Sequence, residues 1–342
     1  MSIRENILQV ANEKTTFKHA DANARLTKPV TRQYLSNYLG DLVKEGVLIR
    51  EKAGRNTTYA LPKNLSKLSG RVSVRLKNEN LEEHIIWDEL KNRSPLLKSL
   101  KENVFSVVDF SFQEMMNNAI EHSRSSTVKA DIYKKEGDVI FEVIDAGVGV
   151  FRNIMEKFNL KSEMEAIQDL LKGKTTTQPK GHTGQGIFFT SKLADIFVLD
   201  SFEYRLRVDN LIPDIFVEKL DKPVKGTRVK FKIATNSKTH AGPVFMKYQT
   251  DPEALASFDK TEIPVKLYNT GTIYISRSQA RRVMTGLQKF KSIVLDFQGV
   301  PTIGQAFADE VFRVWKNNHP SVEIKAINNN EAVKFMIDRV ED

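Results

Sequence analysis

The chain has 342 residues, 40% of them hydrophobic and 28% charged, and its 52 Lys and Arg against 43 Asp and Glu leave a net charge of +9. The lack of cysteine excludes disulfides, thiolate metal sites and cysteine nucleophiles. No apolar run of about 18 residues offers a membrane span, and MSIRENILQV lacks the apolar stretch of a signal peptide, so a cytoplasmic protein of two or three domains is expected.

Residues 1–65 read as three helices and a hairpin. SIRENILQVANEK is the first helix and FKHADANAR the second, with Pro29 breaking the pattern after it. TRQYLSNYLGDLVKEG is the third, with Thr31 as N-cap, Leu35, Tyr38, Leu39 and Leu42 on its apolar face, and Gly46 at its end. VLIREKAGRNTTYAL then reads as two strands about a turn at 53–56. This order, and the passage L..LVKEGVLIR....GR...YAL, resemble a winged helix-turn-helix domain. The segment holds 11 Lys and Arg against 6 Asp and Glu, so +5 of the net charge sits in under a fifth of the chain, which suits a phosphate-binding face. The resemblance implies DNA contacts from Arg32, Gln33, Tyr34 and Asn37 on the third helix and from Lys52, Arg55 and Asn56 on the wing. Winged helices also dock proteins, so the residues leave both readings open.

Residues 70–236 hold a helical lead-in (NLEEHIIWDELKNRSPLLKSLKENVFSVV) and continue as helices and largely antiparallel strands, an α+β pattern. Three stretches carry chemistry. FQEMMNNAIEHS is a helix with Phe112, Met115, Met116, Ala119 and Ile120 on one face and Glu114, Asn118 and His122 stacked on the other. VIFEVIDAGVGV is an apolar strand that delivers Asp145, then Gly147 and Gly149. KGHTGQGIFFTSKLADIF places Gly181, Gly184 and Gly186 before a helix, a phosphate cradle with free N–H groups and a positive helix end. GKTTT at Gly173 does not make a P-loop, because Gln168 stands where the earlier glycine is required.

In this order and spacing the three stretches resemble the GHKL ATPase superfamily, which includes gyrase-type ATPases, sensor histidine kinases and mismatch-repair ATPases. Glu114, Asn118 and Ala119 match its E-x-x-x-N-A motif, Asp145, Gly147 and Gly149 its D-x-G-x-G, and Gly184 and Gly186 its glycine pair. The resemblance implies an α/β sandwich (the Bergerat fold) that binds ATP. Asp145 would read adenine with Thr227. Asn118 would carry Mg²⁺, and Glu114 would orient water. Gly181, Thr183, Gly184, Gln185 and Gly186 would hold phosphates, with KGKTTTQPKGHTG as a lid. Sensor kinases usually put a second Asn at the Glu114 position and a phosphoacceptor His on an earlier helix. Here His84 lacks that context.

Residues 260–342 read as strand (SIVLDFQGV), helix (GQAFADEVFRVWKN), strand (SVEIKAIN) and helix (EAVKFMIDRV), with 236–259 as a linker. This order resembles a small STAS-like α/β domain, related to anti-sigma antagonists and a candidate contact for a protein partner. Those antagonists carry Asp-Ser-Ser-Gly at the helix start, whereas this chain has Gly304, Gln305, Ala306 and Phe307, with no hydroxyl. The expected protein is a multidomain α+β regulator, a slow ATPase or nucleotide switch coupled to DNA, with homodimerisation as a route to paired half-sites. The rival reading is an anti-sigma-type serine/threonine kinase acting on a separate partner. A third is a nucleotide-gated scaffold without DNA or turnover.

Overall fold

The computed structural model describes residues 2–28, 30–53, 56–68, 70–174, 185–251, 253, 257–268 and 276–341. The chain is mixed α/β and divides into two compact units, Met1–Gly149 with Ala194–Lys238, and Val150–Leu193 with Thr239–Asp342.

The first unit begins with α1 (Ile3–Glu13), capped reciprocally by Ser2 and Glu5. A short strand β1 (Phe17–Lys18) precedes α2 (His19–Arg25). The helix expected from Phe17 onward therefore starts two residues later: Phe17 and Lys18 are extended and pair with Tyr59 and Thr58. The Asp21 carboxylate then accepts the Lys18 N–H at 2.7 Å and starts the helix there. Thr31 caps α3 (Arg32–Lys44) by accepting the Tyr34 N–H at 3.2 Å. Gly46 ends it with φ +74°, the left-handed region that favours glycine. Strands β2 (Ile49–Ala53) and β3 (Asn56–Ala60) complete a sheet of order β1-β3-β2. Ile7, Val10, Phe17, Leu35, Leu39 and Leu42 lie in the core of this module.

Next comes β4 (Val72–Lys77), an edge strand just before the stretch expected to be helical. Its alternation of buried Val72 and Val74 with Ser73 and exposed Arg75 is the period-2 signal of a half-buried strand. Helices α4 (Glu83–Arg93), α5 (Pro95–Lys98) and α6 (Glu102–Glu121) follow. Strands β5 (Thr127–Lys135) and β6 (Asp138–Asp145) turn at Glu136 and Gly137, both with positive φ. With β7 (Ile196–Asp209) and β8 (Asp214–Ala234) they form an antiparallel sheet of order β4-β5-β6-β8-β7. Trp87, Phe112, Phe141 and Phe231 bind α4 and α6 to this sheet, at ring separations of 5.0, 5.5 and 4.8 Å in turn.

The second unit contains α7 (Val150–Lys157), α8 (Glu163–Leu171), α9 (Gly186–Leu193) and α10 (Ala241–Met246). It also holds a parallel sheet of β9 (Lys260–Pro264), β10 (Ser292–Asp296) and β11 (Glu323–Ile327), with β10 central. Helix α11 (Arg277–Met284) precedes β10. Between β10 and β11 the chain runs through α12 (Gln305–Ala308), a π-helical stretch (Asp309–Trp315) and α13 (Lys316–Asn318), and α14 (Glu331–Glu341) ends it. The described part of the expected linker at 236–259 includes α10 and packed aromatic rings. Phe245 and Tyr248 meet Phe189 and Phe188 at 4.7 and 4.9 Å, and Phe258 lies 4.9 Å from Phe188. Among the described residues no helix is long and apolar enough to cross a membrane.

Candidate nucleotide site and the exposed face of α3

Helix α6 is apolar enough to be buried along one side. Val104, Val107, Val108, Phe112, Met115, Met116 and Ala119 are buried, while Glu114, Asn117 and Asn118 are half-buried. Asn in a helix interior competes with the backbone for hydrogen bonds and lowers helix propensity. The Asn118 side-chain amide makes no hydrogen bond to a described residue, so its donor and acceptor remain for something else.

The end of α6 is tied to the turn after β6. Val148 N–H donates to Ser123 O at 2.8 Å, and Ala146 N–H donates to Ser125 Oγ at 3.1 Å. This approach requires glycine at 147, where a Cβ would stand 1.8 Å from Ser123 O. Gly226 closes the other side: its φ is +77°, and a Cβ there would meet Asp145 O at 2.5 Å and Gly147 N at 2.6 Å. Gly149, with φ +79°, leaves the space taken by the Phe202 ring.

Within this frame Asp145 is only 5% exposed. Its Oδ1 accepts the Gly147 N–H at 2.9 Å and the Thr227 N–H at 3.3 Å. Burial pushes the carboxyl above its ordinary pKa, while hydrogen bonds from those two amides and from the Thr227 hydroxyl pull it back. A carboxylate has about four lone-pair positions. Three are used, which leaves one for a ligand donor.

The structure therefore brings Asp145, Gly147 and Thr227 together, with Gly149 two residues on and Asn118 and Glu114 on the helix leading into the same turn. Gln185 and Gly186 lie at the start of α9 in the second unit, half-buried. Gly181, Thr183 and Gly184 lie outside the described residues. Sequence reasoning passed over Ser123, Ser125 and Gly226. The polar run HSRSS after an apolar helix and the glycine before Thr227 were the available signals.

On α3, Arg32, Gln33, Tyr34 and Asn37 are all exposed, and Tyr34 keeps half its surface. Tyr34 stacks on Tyr38 at 6.3 Å, which stiffens that face. Lys52 and Asn56 lie on β2 and β3, and Arg55 lies outside the described residues. His84 is exposed on α4, 3.4 Å from the Glu82 carboxylate.

Residues 279–334 match a family described as a STAS-like domain of unknown function (DUF4325). The match runs from α11 into α14 and takes in β10 and β11, so the C-terminal part of the chain is STAS-like. No curated protein matches the chain.

Proposed function

We propose that the chain is an ATP-binding regulator of the GHKL type whose N-terminal winged helix contacts DNA. The observation that carries the nucleotide reading is the Asp145 turn: a buried carboxylate with one acceptor position left, in a turn hydrogen-bonded to the residues that end α6. A base with an exocyclic amine supplies the missing donor, and such a hydrogen bond to a charged group contributes about 1.5–3 kcal/mol. The unpartnered Asn118 amide fits a magnesium ligand, since Mg²⁺ takes oxygen donors and keeps several waters. ATP brings the phosphate charge that Mg²⁺ needs as co-ligand. Glu114, one helical turn before Asn118, is the proposed base that holds and deprotonates water. Gln185 and Gly186, with Gly181, Thr183 and Gly184, are the proposed phosphate contacts.

The DNA reading is supported by the three-helix module with its β-hairpin, the local charge of +5 and the exposed Arg32, Gln33, Tyr34 and Asn37. A cytoplasmic location and a DNA-paired homodimer belong to the same proposal, as does a protein partner for the STAS-like part. Calorimetry with Mg-ATP tests the nucleotide site. Asp145→Asn sets a donor against a donor, and the affinity is expected to fall more than tenfold, about 1.4 kcal/mol. An unchanged affinity would remove the adenine assignment. Glu114→Ala is expected to bind ATP and lose turnover. Transfer of label to a second protein without free phosphate would favour the kinase reading.

A further inference from the structure

The five-stranded sheet has two unlike faces. Val74, Ala130, Ile132, Phe141, Val143 and Phe231 are buried on the α6 side, and Asp145 shares their strand parity. The alternate positions form the opposite face, and there cations prevail. Arg75 lies directly opposite Lys129, Lys129 opposite Ile144, and Ile144 opposite Arg228, whose guanidinium is paired with Asp200 at 2.8 Å. This row crosses four strands, about 14 Å at the usual inter-strand spacing of about 4.8 Å.

The acids on this face are already engaged. Asp131, 1% exposed, accepts from Arg71, Lys129 and Ser73. Glu142 accepts the Tyr133 hydroxyl at 2.8 Å, and Asp138 pairs with Lys232 at 2.8 Å. Arg75, Lys77 and Lys230 make no ion pair among the described residues, and Arg75 and Lys77 are exposed. Arg75 stands directly opposite Lys129, whose ammonium is already paired with Asp131, so the Arg75 charge is left for an external anion.

The basic face adjoins the N-terminal module. β4 is the edge strand, and at its start the Arg71 N–H donates to Glu51 Oε1 on β2 at 2.5 Å. We propose that this face is a second phosphate-binding surface for the same duplex DNA that the winged helix holds. The inference rests on the DNA reading above. Phosphodiester charge complements the excess cations, and one polyanion lying along both surfaces needs only the continuity that β2 and β4 provide. Nucleotide and DNA would then occupy opposite faces of one sheet.

The test is binding of the full chain to a labelled duplex over a potassium chloride series. It compares the wild type, Arg32→Ala, and the triple variant Arg75→Gln, Lys77→Gln, Lys230→Gln. Each lost phosphate contact lowers the slope of log affinity against log salt by about 0.9. The triple variant is expected to lose about 2–3 of that slope on duplexes of any sequence, while melting temperature and ATP affinity stay at wild-type values. A wild-type slope in the triple variant, with binding weakened in Arg32→Ala, would confine DNA to the winged helix and overturn the inference alone. Absence of duplex binding by the wild type would overturn the DNA reading and this inference together. Tighter binding to phosphatidylserine vesicles than to duplex, lost in the triple variant, would overturn the choice of DNA as occupant.

Discussion

Helices α3 and α6 carry the same kind of sequence signal and meet different surroundings. Each has an apolar stripe and a polar face with an Asn one turn from another polar group. On α3 that face is exposed, its groups extend into solvent, and the helix rests on the small core of one module. On α6 it is half-buried, the helix is clamped by Trp87, Phe112 and Phe141, and its end is bonded to the Asp145 turn. An exposed polar face suits a large partner that brings its own surface. A recessed one with an unpartnered amide suits a small ligand. Amino-acid pattern alone does not separate the two cases; depth does.

The contrast can be broken by substitution. Phe112→Ala removes a fully buried ring between α4 and the sheet, and a loss of about 3–5 kcal/mol is expected in denaturant unfolding. Gly147→Ala is expected to cost more than about 2 kcal/mol, because backbone must shift away from the added carbon. At Gly40, within α3, nothing lies within 4 Å of an added Cβ. Gly40→Ala is therefore expected to stabilise the N-terminal module by about 0.5–1 kcal/mol through the gain in helix propensity. An equal cost at Gly40 and Gly147 would mean that the two environments do not differ as described.

The smallest effects sharpen the comparison. Asn118→Ala is expected to leave stability within about 0.5 kcal/mol of wild type, since no hydrogen bond is lost. The pH dependence follows from Asp145, whose folded-state pKa lies above its unfolded value. The folded chain then holds that proton longer, so this group's stabilising contribution is present at low pH. It is lost as pH rises through the shifted carboxylate pKa. Asp145→Asn is expected to flatten that part of the stability–pH curve, and an unaltered curve would mean burial does not govern this carboxyl.

Much of the site's scaffold was legible because it is local. The caps at Thr31, the stripe on α6 and the turn at 136–137 are set by residues within a few positions of one another. What escaped depends on distant partners. β4 received no assignment because its alternate positions are basic, and only pairing with β5 makes it a strand. β9 needed β10 beside it. Residues 236–259 lack a helical or strand period, yet Tyr248 and Phe258 find Phe188 some sixty to seventy residues earlier in the chain. Gly226 was invisible as a site residue because its role is to let Asp145 and Gly147 approach from 80 residues away.

The recessed face of α6 as a magnesium–nucleotide site is tested most directly by calorimetric titration of ATP, with and without Mg²⁺, into wild-type and Asn118→Ala protein. The account predicts saturable wild-type binding that Mg²⁺ tightens. In Asn118→Ala the tightening by Mg²⁺ disappears while the unfolding curve stays at the wild-type position. Equal Mg²⁺ enhancement in both proteins would contradict it.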